Sequence, residues 1–355
     1  MAQLFHAALF QPEDSVVATG LVQSAEGDYV LAGRSFVANG DSAAVAVRAQ
    51  ADGVIAWQQT YRSQYTQFFS AITQIADGSF IATGSKFYSE FAGDEYIWVV
   101  KLDADGNLVW EKTFGSEDTQ SDGLAVVACQ DGGFAVTGLK LSKITNRGQT
   151  RLIKFAANGG VEWDHDYEGG IAYDLTQTVD QGFALSGAAN IPGSLNSYVY
   201  LLRVDPSGVL IWEQTDREFE VYVLINSGVT QTHDGNFVVV AKSVVLKTDG
   251  NGAKIWGYQG DNLGLGSVVE TTEGNYAIAG YLIVDNFEHA YVAAINSEGS
   301  EIVWDNTDTL YNSGIAQVIV NQNDFVAGAG FGPAGNMNNL MFLAVYNPVR
   351  FLRRA

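Results

Sequence analysis

The stretch Leu102–Phe114, LDADGNLVWEKTF, decides the fold. An apolar strand runs into an Asp-x-x-Gly turn, and a Trp follows four residues after the Gly in a second strand. Gly supplies the positive φ that a tight connection between antiparallel strands needs. Versions of this unit return along the chain: Trp57, Trp110, Trp163, Trp212, Trp256 and Trp304 each follow such a turn, at steps of 53, 53, 49, 44 and 48 residues.

A second column pairs an acidic-Gly turn with a short strand that usually ends in Gly. It reads EGDYVLAG from Glu26, DGSFIATG from Asp77, DGGFAVTG from Asp131, DQGFALSG from Asp180, DGNFVVVA from Asp234, EGNYAIAG from Glu273 and QNDFVAGA from Gln322. Its seven aromatic anchors are Tyr29, Phe80, Phe134, Phe183, Phe237, Tyr276 and Phe325. Repeats of roughly 40 to 50 residues with four strands each predict an all-β fold, a seven-bladed β-propeller of four-stranded antiparallel blades. One domain is expected to span residues 1–355. In the second unit the pattern predicts Ser70 to Ile75 as the innermost strand, Ser79 to Thr83 as the second, Tyr96 to Leu102 as the third and Leu108 to Phe114 as the outermost.

Seven units with six turn-linked Trp residues leave the outer strand of the last blade to a chain end. Leu4 to Phe10 is the expected closing strand, with Val349 to Leu352 as the alternative; either removes a free sheet edge. Counting seven residues back from each turn Gly, or its aligned equivalent, gives a third column: Gly20, Ala71, Ala125, Asp174, Gly228, Ser267 and Ala316. Small side chains suit blades that converge on an axis. Asp174 is the exception, and an unpaired buried carboxylate is costly. It is expected to be hydrated in the channel, hydrogen-bonded to backbone amides or bound to a cation.

Composition supports a packed, soluble body. Hydrophobic residues make up 47% and charged residues 17% of the 355, apolar surface enough for a continuous core. The net charge of −21 would repel a phosphate backbone, so nucleic acid is not an expected partner. Cys129 is the lone cysteine, which excludes an internal disulfide framework and a thiolate metal cluster. No stretch approaches 18 consecutive apolar residues, so no membrane span is expected. The first residues lack a secretory leader pattern. A secreted or cell-surface location is expected for a mature chain whose leader is missing, and a cytoplasmic one if Met1 is the natural start. A monomer is expected.

In a four-stranded blade the turns after strands one and three share a face, and the loops after strands two and four share the other. The second set is long and variable here: Ser35 to Ser42, Ser85 to Glu95, Leu139 to Thr150, Ala188 to Ser197, Tyr281 to Glu288 and Phe331 to Asn339. Binding residues concentrate on variable loops carried by a rigid scaffold. Unit five departs from the rest, since its second strand runs almost directly into Val244-Val245-Leu246-Lys247 and leaves the rim low. The first two blades carry Tyr61, Tyr65, Phe68, Phe69, Phe87, Tyr88 and Phe91, rings that could stack on sugar faces or anchor a protein partner. The alternative places Phe68 and Phe69 in the inner strand as core, with the others packing the loops.

Asp103-Ala104-Asp105-Gly106-Asn107 has the spacing of the first half of a calcium loop, but Phe114 stands where the bidentate Glu belongs. A structural hairpin is expected there and at Thr248-Asp249-Gly250-Asn251-Gly252. His6, His165, His233 and His289 are scattered, and no Gly-x-Ser-x-Gly, His-Glu-x-x-His or Cys-x-x-Cys motif occurs. His165, between Asp164 and Asp166 and near Glu168, is the densest ionisable cluster assigned to the loop face. A solvated cluster is the expectation for it, and an acid/base or metal role would need partners from other blades.

The combination of DGGF-x-V-x-G at Asp131 with LDADGNLVW and KTFG resembles a large group of bacterial β-propeller repeat proteins, distantly similar to quinoprotein-type and WD-repeat propellers. The resemblance runs from about Ser15 to Asn347 and implies a propeller that is often secreted or surface-attached. It implies no single activity, since propellers host many functions. The quinoprotein docking turn is Ala-x-Asp-x-x-Thr-Gly-x-x-x-Trp; Asp103 to Gly106 is one residue shorter and has no Thr before the Gly. Cys129 also lacks a partner for a vicinal disulfide, so pyrroloquinoline quinone is not expected.

The expected function is that of a non-enzymatic binding module recognising a protein or glycan on the long-loop face, without a cofactor. Its candidate binding residues are Asp174, Asp122, Tyr61, Tyr65, Phe87, Tyr88 and Phe91, and the six turn-linked Trp residues are expected to brace the outer strands. The alternative is a polysaccharide-acting hydrolase or lyase using carboxylates around the channel, Asp174 and Asp122 among them, with Ca²⁺ as its candidate cofactor. A third reading is an intracellular scaffold.

Overall fold

The computed structural model describes residues 15–36, 42–89, 94–190, 197–221, 227–307, 313–321, 326–334 and 338–346. Its strands form seven antiparallel sheets, six of four strands and a seventh with three strands among the described residues. Blade 1 runs outward through β1 (Ser15–Gln23), β2 (Tyr29–Phe36), β3 (Ser42–Ala49) and β4 (Ile55–Tyr61). Blade 2 repeats this as β5 (Gln67–Gln74), β6 (Phe80–Phe87), β7 (Glu95–Leu102) and β8 (Leu108–Phe114). The protein is a seven-bladed β-propeller. Both expected closing segments, Leu4 to Phe10 and Val349 to Leu352, lie outside the described residues.

β8 has its expected bounds, whereas β5 and β6 extend further toward the long-loop face than predicted. The same extension shortens predicted loops. In blade 6 the segment Tyr281 to Glu288 is mostly strand, because Tyr276–Val284 and Phe287–Ile295 are joined by Asp285 and Asn286 at φ 51° and 66°. Blade 5 does have the low rim, turning from Phe237–Ala241 into Val244–Thr248 through Lys242 and Ser243.

The core lies between blades. Along β2, Val30 and Ala32 join Phe69, Phe80 and Trp98 of blade 2, while Tyr29 and Leu31 join Ala327, Ala329 and Met341 of blade 7. Side chains alternate across a strand, so one apolar run feeds two seams. Among the described residues each pair of neighbouring blades shares such a seam, including blade 7 with blade 1. Blade 7 is therefore joined to blade 1 by side-chain packing. Each large apolar side chain buried there contributes about 1.5–3 kcal/mol.

The acidic-Gly turns have their own logic. Asp77 accepts the Ser79 amide and pairs with Lys101 on the third strand. Asp131–Lys154, Asp180–Arg203 and Asp234–Lys247 repeat the ion pair. A Gln column missed in the sequence ties neighbouring blades on this face. Gln74 donates to Gly78 O of its own turn and accepts the Ala25 amide of blade 1, and Gln177 and Gln231 do the same toward blades 3 and 4.

The Gly that ends the second strand answers a bulge in the inner strand. Inner strands bulge in blades 1, 2, 3, 4, 6 and 7. A Cβ at Gly33, Gly84 or Gly187 would lie 1.9, 2.0 or 1.8 Å from an inner-strand carbonyl oxygen. Among its described residues blade 5 has no bulge, and Ala241 occupies that position. In blade 7 the corresponding residue is Gly330, not Ala329, and Val326 rather than Phe325 pairs with the last inner-strand residue, Val320. Phe325 itself lies outside the described residues. The sequence spacing places the last unit one residue early, because its turn, Gln322-Asn323-Asp324, has no Gly to align on.

Candidate functional site

That one-residue correction changes the inner ring. Gln317, not Ala316, pairs with Ala329 and takes the position of Gly20, Ala71, Ala125, Asp174, Gly228 and Ser267. Polar members of this ring clasp the next blade. Asp174 Oδ2 accepts the Val229 amide at 2.9 Å, Ser267 Oγ the Val318 amide at 3.1 Å, and Gln317 Oε1 the Leu21 amide at 2.6 Å. Where the ring residue is Gly, a Cβ would meet the next blade's backbone, at 2.9 Å for both Gly20 and Gly228. Of the three settings expected for Asp174, hydrogen bonding to amides is observed. Burial pushes its carboxyl up to about 6, held back by the Val229 and Leu175 amides.

The ring surrounds a narrow waist of about 90 Å³. Toward the long-loop face the waist shares Thr19, Ser70, Leu124, Tyr173 and Ala316 with a wider mouth of about 590 Å³. The mouth lies over two blade junctions. At the junction of blades 1 and 2, β2 continues its blade-2-facing series from Val30 and Ala32 to Arg34 and Phe36. Arg34 Cζ stands 4.7 Å from the Phe36 ring centroid and 5.4 Å from that of Phe68. Its Nε is buried with no hydrogen-bond partner, and burial lowers its pKa.

At the junction of blades 2 and 3 the same alternation applies. Ile81, Ile97 and Val99 fill the seam, and above them Ser85 and Glu95 meet Gln120 and Asp122. Ser85 Oγ donates to Asp122 Oδ1 at 2.7 Å and Gln120 Nε2 to Glu95 Oε2 at 2.8 Å. Burial first, then the hydrogen-bonded and charged Asp122 carboxylate, raise Glu95 well above the usual carboxylate range. Phe87 lies over this end, its ring centroid 6.5 Å from that of Phe68.

Of the expected binding residues, Asp122 and Phe87 line the mouth and Asp174 the waist. Tyr61 does not: its hydroxyl donates to Gly106 O at 2.6 Å and its ring packs edge-on against Phe69 in the seam between blades 1 and 2. Tyr65 accepts from Gln64 Nε2 and is not among the residues lining the mouth, and Tyr88 packs on Tyr96 beside the outer strand. Phe91 lies outside the described residues. Phe69 is core, stacked on Trp98, whereas its neighbour Phe68 faces the mouth. Arg34, Glu95 and Gln120 were missed, since only the register reveals which strand-end residues meet across a junction.

The other sequence candidates have local partners. Asp103 accepts the Asp105 and Asn107 amides within its own turn, and Asp249 those of Asn251 and Ala253. His165 sits on an outer strand and stacks on Trp163, while Asp164 pairs with Arg151 and Asp166 with Lys140. Among the described residues no group of three or more His, Cys, Asp or Glu is placed to hold a metal ion. Among the described residues no helix is long and apolar enough to cross a membrane.

The family model described as outer membrane protein assembly factor BamB matches residues 15–190, just under half of the chain. Among solved structures, the WD40 β-propeller domain of Doa1 superposes with a TM-score of 0.61 at 11% identity, covering 97% of each chain. BBS1N, from its complex with ARL6DN, gives 0.56 at 9% identity over 98% of this chain and 93% of that one. Sqt1 from Chaetomium thermophilum gives 0.54 at 12% identity over 94% and 87%. No curated protein sequence matches. At these identities the structural likeness speaks for the fold alone. The chain is a β-propeller repeat protein distantly similar to the quinoprotein-type and WD-repeat propellers.

Proposed function

We propose that the protein is a non-enzymatic binding module that takes a protein or glycan segment at the channel mouth on its long-loop face. The observation that supports this is the convergence of apolar ring faces, Phe68 and Phe87, with hydrogen-bonding side chains from blades 1, 2 and 3 around one cavity of about 590 Å³. That size and mixture suit a few ligand residues, with rings supplying area and polar groups fixing orientation. The scaffold beneath is closed and rigid, as the interaction-scaffold use of propellers requires. The proposed binding needs no cofactor and is assigned to a monomer. A secreted or cell-surface location fits the match to an outer-membrane assembly factor.

The polysaccharide hydrolase or lyase is the weaker reading. Two-carboxylate glycoside cleavage keeps its acids about 5–9.5 Å apart. Glu95 and Asp122 instead stand in one cluster, hydrogen-bonded through Ser85 and Gln120, with burial and the Asp122 charge raising Glu95, and Asp174 lies lower, at the waist. The deciding experiment surveys glycan and peptide arrays and adds a reducing-sugar release assay. The expected result is one ligand class bound without cleavage, and lost in Phe87→Ala and Gln120→Ala at unchanged melting temperature. Ligands indifferent to both substitutions would remove the channel mouth as the site, and sugar release abolished by Asp122→Asn would favour the enzyme.

A further inference from the structure

Arg34 is the feature of the mouth that packing alone leaves unexplained. Acidic residues outnumber basic ones 40 to 19, and the arginines and lysines nearer the turn face, Arg48, Lys101, Lys154, Arg203 and Lys247, each hold an acid. The Arg34 side chain makes no ion pair or hydrogen bond among the described residues, and its Nε is buried at the cavity wall. A buried guanidinium nitrogen without a partner is costly, and the rings of Phe36 and Phe68 offset only part of that cost. An apolar side chain of similar length would fill the space without it. The charge is available to something that enters the mouth.

A guanidinium fork fits planar oxyanions, carboxylates above all when the surroundings are already acidic. A dianionic phosphate would face the Asp122 charge across the same cavity, whereas a single carboxylate meets less repulsion. The rest of the mouth describes what carries that carboxylate. Gln120, Ser85, Glu95 and Asp122 offer an alternating set of side-chain donors and acceptors, the pattern that clustered hydroxyls satisfy, and Phe87 offers a ring face for an apolar sugar face. Resting on the channel-mouth binding proposed above, we infer that the ligand is an acidic glycan whose hexuronic-acid residue is held by Arg34 through its carboxylate, with its hydroxyls turned to the Glu95–Asp122 side.

The test is calorimetric titration of the full chain with trigalacturonate, with the neutral galactose trimer, and with a tripeptide bearing a free C-terminal carboxylate. Trigalacturonate is expected to bind, and the neutral trimer about 10- to 100-fold more weakly, the usual weight of a charge-assisted contact. Arg34→Met is expected to lose trigalacturonate affinity by a similar factor and to bring the two sugars level, with a melting temperature equal to or above that of the parent. A merely structural Arg34 would instead lower the melting temperature and leave the sugar preference intact. Arg34→Lys, which keeps the charge and loses the fork, serves if the Met variant fails to fold, and an intermediate loss is expected.

Several results overturn the inference: equal binding of both sugars, binding of the tripeptide alone, no binding of trigalacturonate, or an Arg34→Met variant that still prefers the acid. Its failure is separable from that of the site. A neutral sugar or peptide that binds and is lost in Phe87→Ala leaves the channel mouth standing without an acid-reading Arg34. Trigalacturonate binding that ignores both Phe87→Ala and Arg34→Met removes both.

Discussion

The Trp57 indole of blade 1 packs against Gly106 in the last turn of blade 2, so closely that a Cβ on Gly106 would lie 2.8 Å from the ring. Trp57 Nε1 donates to Ala104 O of the same turn at 2.9 Å. Trp110 meets Gly159, Trp163 meets Gly208, Trp212 meets Gly252 and Trp256 meets Gly299 in the same way. The Gly of the repeat therefore serves its own turn, at φ +80° for Gly106, and is the seat of the preceding blade's Trp.

Gly106→Ala violates both conditions, through a strained left-handed backbone and an overpacked indole. It is expected to destabilise the fold by about 2–4 kcal/mol. Urea unfolding with an unshifted midpoint would refute this double role.

Trp110→Ala is expected to cost about 3 kcal/mol, the low end for loss of a large aromatic, since the ring is only half-buried. Ligand binding should persist, because the side chain is at the outer rim and not at the channel mouth. A melting temperature equal to that of the parent would count against the bracing role.

Gln317→Ala removes the acceptor of the Leu21 amide, a contact between the last and first blades. An amide left without its partner costs about 1–3 kcal/mol. Because this clasp bridges the ends of the chain, hydrogen exchange at Leu21 should accelerate more than exchange at Val229, whose acceptor Asp174 is untouched. Equal acceleration at both amides would contradict a local clasp.

Asp174 links stability to pH. Its folded pKa of about 6 lies above its ordinary value of 3.8, so the native state holds the proton more tightly than the unfolded chain. The contribution is full below about 3.8 and is lost as pH rises through about 6. Asp174→Asn keeps an acceptor for Val229 and carries no charge, so it should gain on the order of 2 kcal/mol over the parent at pH 8 and nothing at pH 4. Melting curves at the two pH values check this, and a gain that does not change with pH would refute it.

Much of the architecture is legible because it is repeated. The Trp and aromatic columns count the blades, and the Gly that ends each second strand proves to mark an inner-strand bulge, with Ala241 marking the blade that has none. The last unit misled by one residue, since no Gly anchors its turn, and Gln317 was hidden behind Ala316. Tyr61 read as a loop aromatic because proximity in sequence to Tyr65 and Phe68 says nothing of direction. Its ring turns into a seam, while Phe68, one residue before buried Phe69, turns out of it.

Blade number, turn chemistry and the face that carries the longer connections are legible in the chain alone, because each is set by local spacing and backbone preference. Tertiary structure decided which side chains meet. Arg34 and Phe68, or Glu95 and Asp122, belong to different strands and, in each pair, to different blades. They come together only because alternation along each strand directs every second residue across a blade junction, and because the ring brings the tops of two neighbouring junctions to one channel mouth.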